Sequence, residues 1–343
     1  MTADAPFVSI IIPVHNQTIL LKKLLRSIWA EDMPAGSFEV VITDDGSTQS
    51  VKPELSGGEF SGSRANLTVN RHDAAKGAAA ARNTAAGSAR GEVLVFLDAD
   101  TILDRGSLRR LHDRFRNEPG LGAINGGGGQ DPANPEDGFT PRYRALLDHI
   151  QQNRRAPDIC TFFTPRLGAA RKKFFEAAGR FDPSFPGASV EEYEFGHRLS
   201  QQTQIRFDPQ INVLHHYQKF GKNNRNFFNR VRLWMPIFWK RKQFENFGSV
   251  TSYYGFGSVF GALAFPPIVT SAMGCPYSPW IFALTFGLFI ACYAELFWWN
   301  LRLKGPVFAL RSILLSWWLC LFITAGALVG TADVVIGKKN KPA

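Results

Sequence analysis

The chain has 343 residues, enough for two domains, and a formal net charge of +10. Its four cysteines, Cys160, Cys275, Cys292 and Cys320, are scattered with no CxxC pair, which argues against a disulfide framework or a structural zinc site. Charge is unevenly placed: from Phe247 to Gly337 the only charged residues are Glu295, Arg302, Lys304, Arg311 and Asp333, whereas earlier residues carry charge throughout.

The first residues show no basic segment followed by a long apolar run, so no secretory signal is expected and the soluble part is expected in the cytoplasm. FVSIIIP (7–13) is β-branched and stopped by proline, which predicts a buried strand. Asn16 is placed to cap a helix with Leu20, Leu21, Leu24, Leu25 and Ile28 on its apolar positions. FEVVIT (38–43) and NLTVNR (66–71) predict further strands, the former ending in Asp44-Asp45-Gly46-Ser47. Lys76-Gly77 opens an alanine-rich helix to about Ala89, and EVLVFL (92–97) predicts a fourth strand. Strands that are continuously apolar and alternate with helices imply a mostly parallel sheet covered on both faces, an α/β fold. Ligands of such sheets gather at the carboxyl ends of strands. The polar groups Pro13–Gln17, Asp44–Ser47 and Asp98–Asp100 all fall there.

Later elements are less regular. LGAIN (121–125) predicts a strand, and Gly126–Gly129 a flexible loop. RKKFFEAAGRFDPSF (171–185) predicts a helix ending at Gly179. SVEEYEFGHRLSQQ (189–202) predicts a helix capped by Ser189, and INVLHHY (211–217) a late strand.

Asp98-Ala99-Asp100 leaves a strand end with two carboxylates at i and i+2, which can converge on one divalent ion, Mg²⁺ or Mn²⁺, that bridges to a diphosphate. Taken alone the pattern fits helix capping by Asp100 or Asp104 equally well. In EEYE (191–194), Glu191 and Glu194 share a helix face and Glu192 points elsewhere. Strand alternation sets His215 and His216 on opposite faces, so at most one reaches the site.

Five segments in order, IIPVHNQ, VITDDGS, KGAAAARNTAAGSARGEVLVFLDAD, FFEAAGRFDPSF and EEYEFGHRL, resemble glycosyltransferase family 2, whose inverting members have the GT-A fold. The resemblance spans roughly residues 7–216. It implies that Pro13, Val14 and His15 line the nucleotide base and that Asp44 and Asp45 bind base and ribose. It further implies that Lys76, Gly77 and Arg82 contact the base and diphosphate side, and that Asp98, Ala99 and Asp100 hold the ribose and the metal–diphosphate. Glu192 would be the base that deprotonates the acceptor, with Glu191 or Glu194 as alternatives, and a late histidine, His215 or His216, would complete the metal shell. His15 stands where the family usually has tyrosine, Gln17 where it has an acidic residue, and Glu191-Glu192 where it has Glu-Asp.

Arg225, Arg230, Arg232, Lys240, Arg241 and Lys242 interleave with Phe227, Phe228, Trp234, Phe238 and Trp239. This reads as an amphipathic helix on a membrane surface rather than a nucleic-acid patch, with Arg230, Arg232 and Trp234 toward a lipid acceptor. Processive synthases of the family carry Q-x-x-R-W here, and Asn229–Trp234 departs from it. Apolar stretches near 250–273, 279–300 and 311–336 approach the roughly 20 residues that cross a bilayer. Pro266-Pro267 would kink the first. The positive-inside rule sets the catalytic domain and the 302–311 loop in the cytoplasm. Three full crossings would then leave Lys338, Lys339 and Lys341 outside, against the same rule, so either one stretch does not cross or the tail is an exception. The expected organisation is a GT-A domain (1–218), an interfacial segment (219–247), two or three spans (248–337) and a basic tail (338–343). The expected activity is transfer from a nucleotide sugar to a lipid or lipid-linked glycan in the cell membrane. A processive polysaccharide synthase and an inactive nucleotide-binding scaffold are the alternatives.

Overall fold

The computed structural model describes residues 7–34, 36–57, 60, 66–153, 159–185, 190–245 and 250–337. They form two compact units: the described residues up to 134 with 159–216, and 135–153 with 217–337. The expected single domain 1–218 is thus interrupted by a segment that belongs with the C-terminal helices.

In the first unit β1 (Val8–Val14), β2 (Phe38–Asp45), β3 (Asn66–His72) and β4 (Val93–Leu97) pair in parallel, in the order β3-β2-β1-β4. Alternation sends Val8, Ile10, Ile12, Val40, Ile42, Val93 and Val95 to one face, where they pack with Leu21, Leu24, Leu25 and Ile28 of α1 (Thr18–Trp29). The other face meets α3 (Ala78–Ser88), whose buried Ala79, Ala81, Ala85 and Ala86 let it sit close to β1 and β2. Beyond β4 the sheet mixes directions. It continues through β8 (Leu167–Arg171), antiparallel, then β6 (Ala123–Gly128), β9 (Ile205–His215) and β5 (Thr101–Leu103), with β7 (Ile159–Cys160) beside β9. The remaining helices of this unit are α2 (Val51–Leu55), α4 (Ser107–Asn117), α6 (Lys172–Ala177) and α7 (Glu191–Ser200).

Several local expectations are corrected. Asn16 does not cap α1; with φ 54° it turns away, and its Oδ1 accepts from Thr48 N at 2.9 Å. Gly126–Gly128 are strand, not loop. At Gly126 a side chain is excluded because β9 lies too close: a Cβ there would stand 2.6 Å from the Ile211 carbonyl oxygen. Arg171 closes β8 rather than opening the helix, because its guanidinium is buried and donates to the Leu121 and Phe115 carbonyls. The cap expected at Ser189 and the tail 338–343 lie outside the described residues.

The second unit holds α5 (Phe139–Asn153), α8 (Phe220–Arg241), α9 (Ser252–Leu263), α10 (Pro266–Ala272), α11 (Ser278–Lys304) and α12 (Pro306–Val335). Tyr143, Leu146, Leu147 and Ile150 of α5 pack with Tyr254, Phe289, Tyr293, Leu296, Leu315 and Leu319. Three helical stretches, Ser252–Ala272, Ser278–Lys304 and Pro306–Val335, are long and apolar enough to cross a membrane. The first is broken between α9 and α10, where Pro266 and Pro267 supply no N–H to the helix. The loop expected at 302–311 shrinks to Gly305, whose φ of 83° lets α11 end and α12 begin at once.

A buried polar knot ties β1 to β2 at the edge remote from the site. Ser9 Oγ donates to Glu39 Oε1 at 2.7 Å, Arg90 N to the same oxygen at 2.6 Å, and Arg90 Nε to Oε2 at 2.9 Å. Burial pushes the Glu39 carboxyl up, but the bonds from Ser9 and Arg90 outweigh it and hold it below its ordinary 4.5. A depressed folded pKa means stability that is present above the unfolded value and lost as pH falls through the folded one. Glu39→Gln should cost roughly 1.5–3 kcal/mol at neutral pH. Thermal unfolding of the full chain in detergent should show that gap closing below about pH 4.

Candidate active site

The carboxyl ends of β1, β2 and β4 carry the polar residues. Asp44 and Asp45 end β2 inside the ladder, one residue opposite Arg71 and the next opposite His72 of β3. Asp44 is fully buried. Its Oδ1 accepts from Ser47 N at 3.0 Å and its Oδ2 from Val51 N at 3.2 Å and from Arg71. Burial raises its pKa and the bonds from Ser47 and Val51, with the Arg71 charge, lower it further, so the carboxylate stays ionised. Asp45 accepts from Lys76 N at 2.9 Å, Gly77 N at 2.8 Å and His72 Nδ1 at 2.7 Å. It therefore fixes the turn into α3, where Gly77 has φ 94°. Lys76 itself is exposed.

His15 is exposed, and both ring nitrogens have partners. Nδ1 bonds the Asp45 carbonyl oxygen at 2.8 Å, and Nε2 faces Asn16 Nδ2 at 3.0 Å. A carbonyl only accepts, so Nδ1 carries the proton and Nε2 accepts. The Val14 side chain is in the core, so only its backbone is available to line a ligand; Pro13 is half-buried. The Ala99 side chain is likewise packed inside.

At the end of β4, Asp98 and Asp100 are about a fifth to a quarter exposed, 26% and 19%. The Asp98 carbonyl accepts from Thr101 N and Oγ1, at 3.1 and 2.8 Å, which closes the turn between them. Asp100 Oδ1 lies 3.3 Å from His215 Nε2, and the Asp100 carbonyl accepts from His216 N at 2.8 Å. Burial opposes the charge on Asp100, but the histidines, His215 foremost, hold its carboxyl below the ordinary range. The late strand thus delivers His215 to the second carboxylate, while His216 supplies backbone. Among the described residues no three His, Cys, Asp or Glu side chains come together closely enough to hold a metal. Asp100 and His215 are the two groups here that could contribute donors to a divalent ion such as Mg²⁺ or Mn²⁺.

The resemblance sets Arg82 on the base and diphosphate side, but it is 1% exposed and faces inward. Its NH2 donates to Asp98 Oδ1 at 2.7 Å and its NH1 to Glu191 Oε1 at 2.8 Å. Burial disfavours its charge, and Asp98 and Glu191 more than compensate, raising a pKa that is already high. One guanidinium therefore joins the D-x-D turn to the first turn of α7. Of the three α7 carboxylates, Glu191 is fully buried on Arg82, and Glu194 is paired with Arg198 at 2.7 Å. Glu192 is half-buried, and its carbonyl accepts from Phe163 N at 3.2 Å.

Sequence reasoning missed what seats α7. Phe195 packs on Phe163, Phe175 and Phe181, with its closest ring centroid 4.3 Å away on Phe181, and Phe96 of β4 meets the same rings. Asn83, next to Arg82, clamps Phe181 with a pair of bonds to its backbone, at 2.7 and 3.1 Å. Asn125, wholly buried, does the same across Phe162 and Thr164 at 2.9 Å each. The A-R-N segment is visible in the sequence, but its asparagine reads as an ordinary helix residue until its partner in the turn after α6 is known. In the second unit, Arg232 pairs with Asp333 at 2.6 Å, Trp234 is buried beside Phe238 and Phe244, and Arg230 is exposed.

Two substitutions test this construction. A Cβ on Gly196 would collide with the backbone of Phe162 and Phe163, so Gly196→Ala should lower stability by about 1–3 kcal/mol in thermal unfolding. Arg82→Lys keeps the charge but cannot bridge both carboxylates, and should cost about 3 kcal/mol in the same measurement.

Comparison with known proteins agrees with this geometry. The sequence model of the family described as Glycosyl transferase family 2 matches residues 9–179. Glycosyltransferase AglE of Haloferax volcanii is 38% identical over 100 residues, 29% of this chain and 32% of that protein. The UDP-Glc:alpha-D-GlcNAc-diphosphoundecaprenol beta-1,3-glucosyltransferase WfgD of Escherichia coli is 36% identical over 99 residues, 29% of this chain and 37% of that protein. The matches thus span about a third of the length of these two relatives. The mannosyltransferase PcManGT of Pyrobaculum calidifontis, solved with GDP-Man and Mn²⁺, superposes with a TM-score of 0.59 at 17% identity, over 98% of this chain and 88% of that one. With its mostly parallel sheet, its strand-end carboxylates and this family match, the chain belongs to glycosyl transferase family 2 and has the GT-A fold.

Proposed function

We propose that the chain is an inverting transferase. It moves a sugar from a nucleoside diphosphate sugar to a hydroxyl of a membrane-embedded acceptor, a lipid-linked glycan or a polyprenyl lipid, with the site on the cytoplasmic side of the cell membrane. The observation that carries this reading is the Arg82 bridge, because it holds the D-x-D turn and the acidic start of α7 within one side chain of each other. An inverting transfer needs both groups: one to receive the leaving diphosphate, the other to take the acceptor proton.

Glu192 is the base in this scheme, the role the family resemblance gives it, while Glu191 pairs with Arg82 and Glu194 with Arg198. It takes the acceptor proton as the acceptor oxygen bonds to the anomeric carbon and the bond from that carbon to the diphosphate breaks, the electron pair leaving with the phosphate. His15, Pro13 and Asp45 support the nucleotide, and Lys76 offers its exposed ammonium to phosphate. A divalent ion, Mg²⁺ or Mn²⁺, would be held by Asp100 and His215 beside Asp98, and when bound it neutralises charge on the diphosphate. Asp44 in this reading shapes the β2 end rather than touching ribose, given its complete burial. The lipid acceptor is supported by the three long apolar helices and by the diphosphoundecaprenol acceptor in the name of WfgD. The metal is supported by the Mn²⁺ bound to PcManGT.

Transfer by the purified full chain, with UDP- and GDP-sugars and a panel of lipid-linked acceptors, should stop with EDTA. Glu192→Gln should lower kcat by about 10²–10⁴ with little change in donor KM. Unimpaired turnover in Glu192→Gln, with Glu194→Gln inactive, would move the base to Glu194. Long polymer from nucleotide sugar alone would favour a processive synthase.

A further inference from the structure

Strands β4, β8, β6, β9 and β5 are neighbours in that order, yet Asp98, Ala99 and Asp100 alone join the first of them to the last. Laid flat, the five strands would set β4 and β5 about 19 Å apart. The chain from Leu97 to Thr101 reaches at most about 14 Å when fully extended. The bond from Thr101 N to the Asp98 carbonyl, 3.1 Å, shortens it further. The five strands therefore curl, and the D-x-D turn closes the curl. Groups at the adjoining ends of β8 and β6 share one rim with the two carboxylates.

Arg166, half-buried, belongs to that rim. It directly precedes Leu167, the first residue of β8, and Leu167 pairs with Leu97 across the antiparallel ladder. Arg166 and Asp98 are thus neighbours one step beyond the last pair. The Arg166 guanidinium reaches the middle strand of the curl: a Cβ on Gly128, the last residue of β6, would stand 3.5 Å from its Nη2. Gly128 in turn pairs with Val213 of β9, two residues before His215, whose Nε2 lies 3.3 Å from Asp100. The segment that delivers Arg166 is held from both ends. Asn125 clamps Phe162 and Thr164 at 2.9 Å each, and Leu167 N donates to the Thr164 carbonyl at 3.3 Å.

The other cations near the turn are placed differently. Arg82 is spent between Asp98 and Glu191, and Lys76 stands at the turn beside Asp45, with β1 between β2 and β4. A nucleoside diphosphate departs with growing negative charge on its β-phosphate, and an arginine aimed there acts where that charge develops. Its five N–H donors form a planar fork, so it can keep a protein partner and still turn one edge to phosphate oxygens. We infer that Arg166 binds the β-phosphate of the donor, on the β8–β6 side of the D-x-D turn, and stabilises it as it leaves. This rests on the reading of the chain as a nucleotide-sugar transferase with its donor at that turn. It assigns to Arg166 the diphosphate contact that the resemblance gives Arg82.

Calorimetric titration of the purified full chain with nucleotides, in detergent with Mn²⁺, tests the contact. Arg166→Gln should weaken UDP and GDP by about 10- to 100-fold and leave UMP and GMP, which lack the β-phosphate, within about threefold. Arg166→Lys keeps the charge without the fork and should lie between; it carries the same comparison if Arg166→Gln does not fold. Unchanged UDP and GDP affinity would overturn the assignment. So would an equal loss for mono- and diphosphates, the mark of a side chain that only shapes the loop. Loss confined to donors whose sugar bears a carboxylate would overturn it as well, by moving the contact from phosphate to sugar. A wild-type chain that binds no nucleoside diphosphate would instead remove the transferase reading, and this contact with it.

Discussion

A buried arginine with two carboxylate partners organises the catalytic unit. Arg82 comes from a helix behind the sheet, Asp98 from the end of a central strand, and Glu191 from a helix that arrives a hundred residues later. A guanidinium out of water is tolerated only where its charge and its donors are met, and its planar fork meets two carboxylates where a lysine would meet one. The Phe181 ring lies against the guanidinium, its centroid 5.4 Å from Cζ, and packs in turn with Phe96, Phe163 and Phe195. The cost of burying the charge is thereby turned into a condition on the fold. Only when β4, α3 and α7 are all in place does Arg82 make both of its carboxylate bonds, so the acidic helix and the D-x-D turn cannot drift apart without leaving charge unpaired.

The rest of the site is set from that frame. Asp44 and Asp45 are spent on backbone N–H groups and on Arg71 and His72, and so fix the two turns that leave β2 and enter α3. Asp100 keeps its charge because His215 is beside it, not because it is open to water. Carboxylates in this unit therefore divide into those that build and those that face outward, and burial separates them more sharply than residue type does.

The first half of the sheet was legible because it obeys local rules. Apolar runs such as FVSIIIP and EVLVFL can only be buried strands, and the carboxylates at their ends stand out for that reason. What was hidden depends on partners distant in sequence. Nothing near Arg82 shows that it will meet Glu191, so the resemblance sets it on the base and diphosphate side. Gly126–Gly128 reads as a loop because glycine has little strand preference, and only the approach of Ile211 explains it. The 135–153 segment reads as part of the soluble domain because its apolar face is no different from one that packs on a sheet; here it packs on membrane-type helices. Charge inside α8 reads as an amphipathic interfacial helix; what the sequence does not show is that Gly326 and Gly330 let α12 pack against its backbone at Phe228 and Arg232.

The histidine at the tip of β1 has a consequence for how a nucleotide could be told apart from another. Its Nδ1 is committed to the Asp45 carbonyl, its Nε2 to Asn16, and Asn16 in turn to Thr48, so the imidazole has no edge left to offer. Any base laid against it meets a flat face, and stacking is nearly indifferent to which heterocycle is stacked. If the nucleotide lies where the proposed function sets it, discrimination between purine and pyrimidine donors would not come from His15. It would fall instead to the shape of the β2 turn and of the Lys76-Gly77 turn.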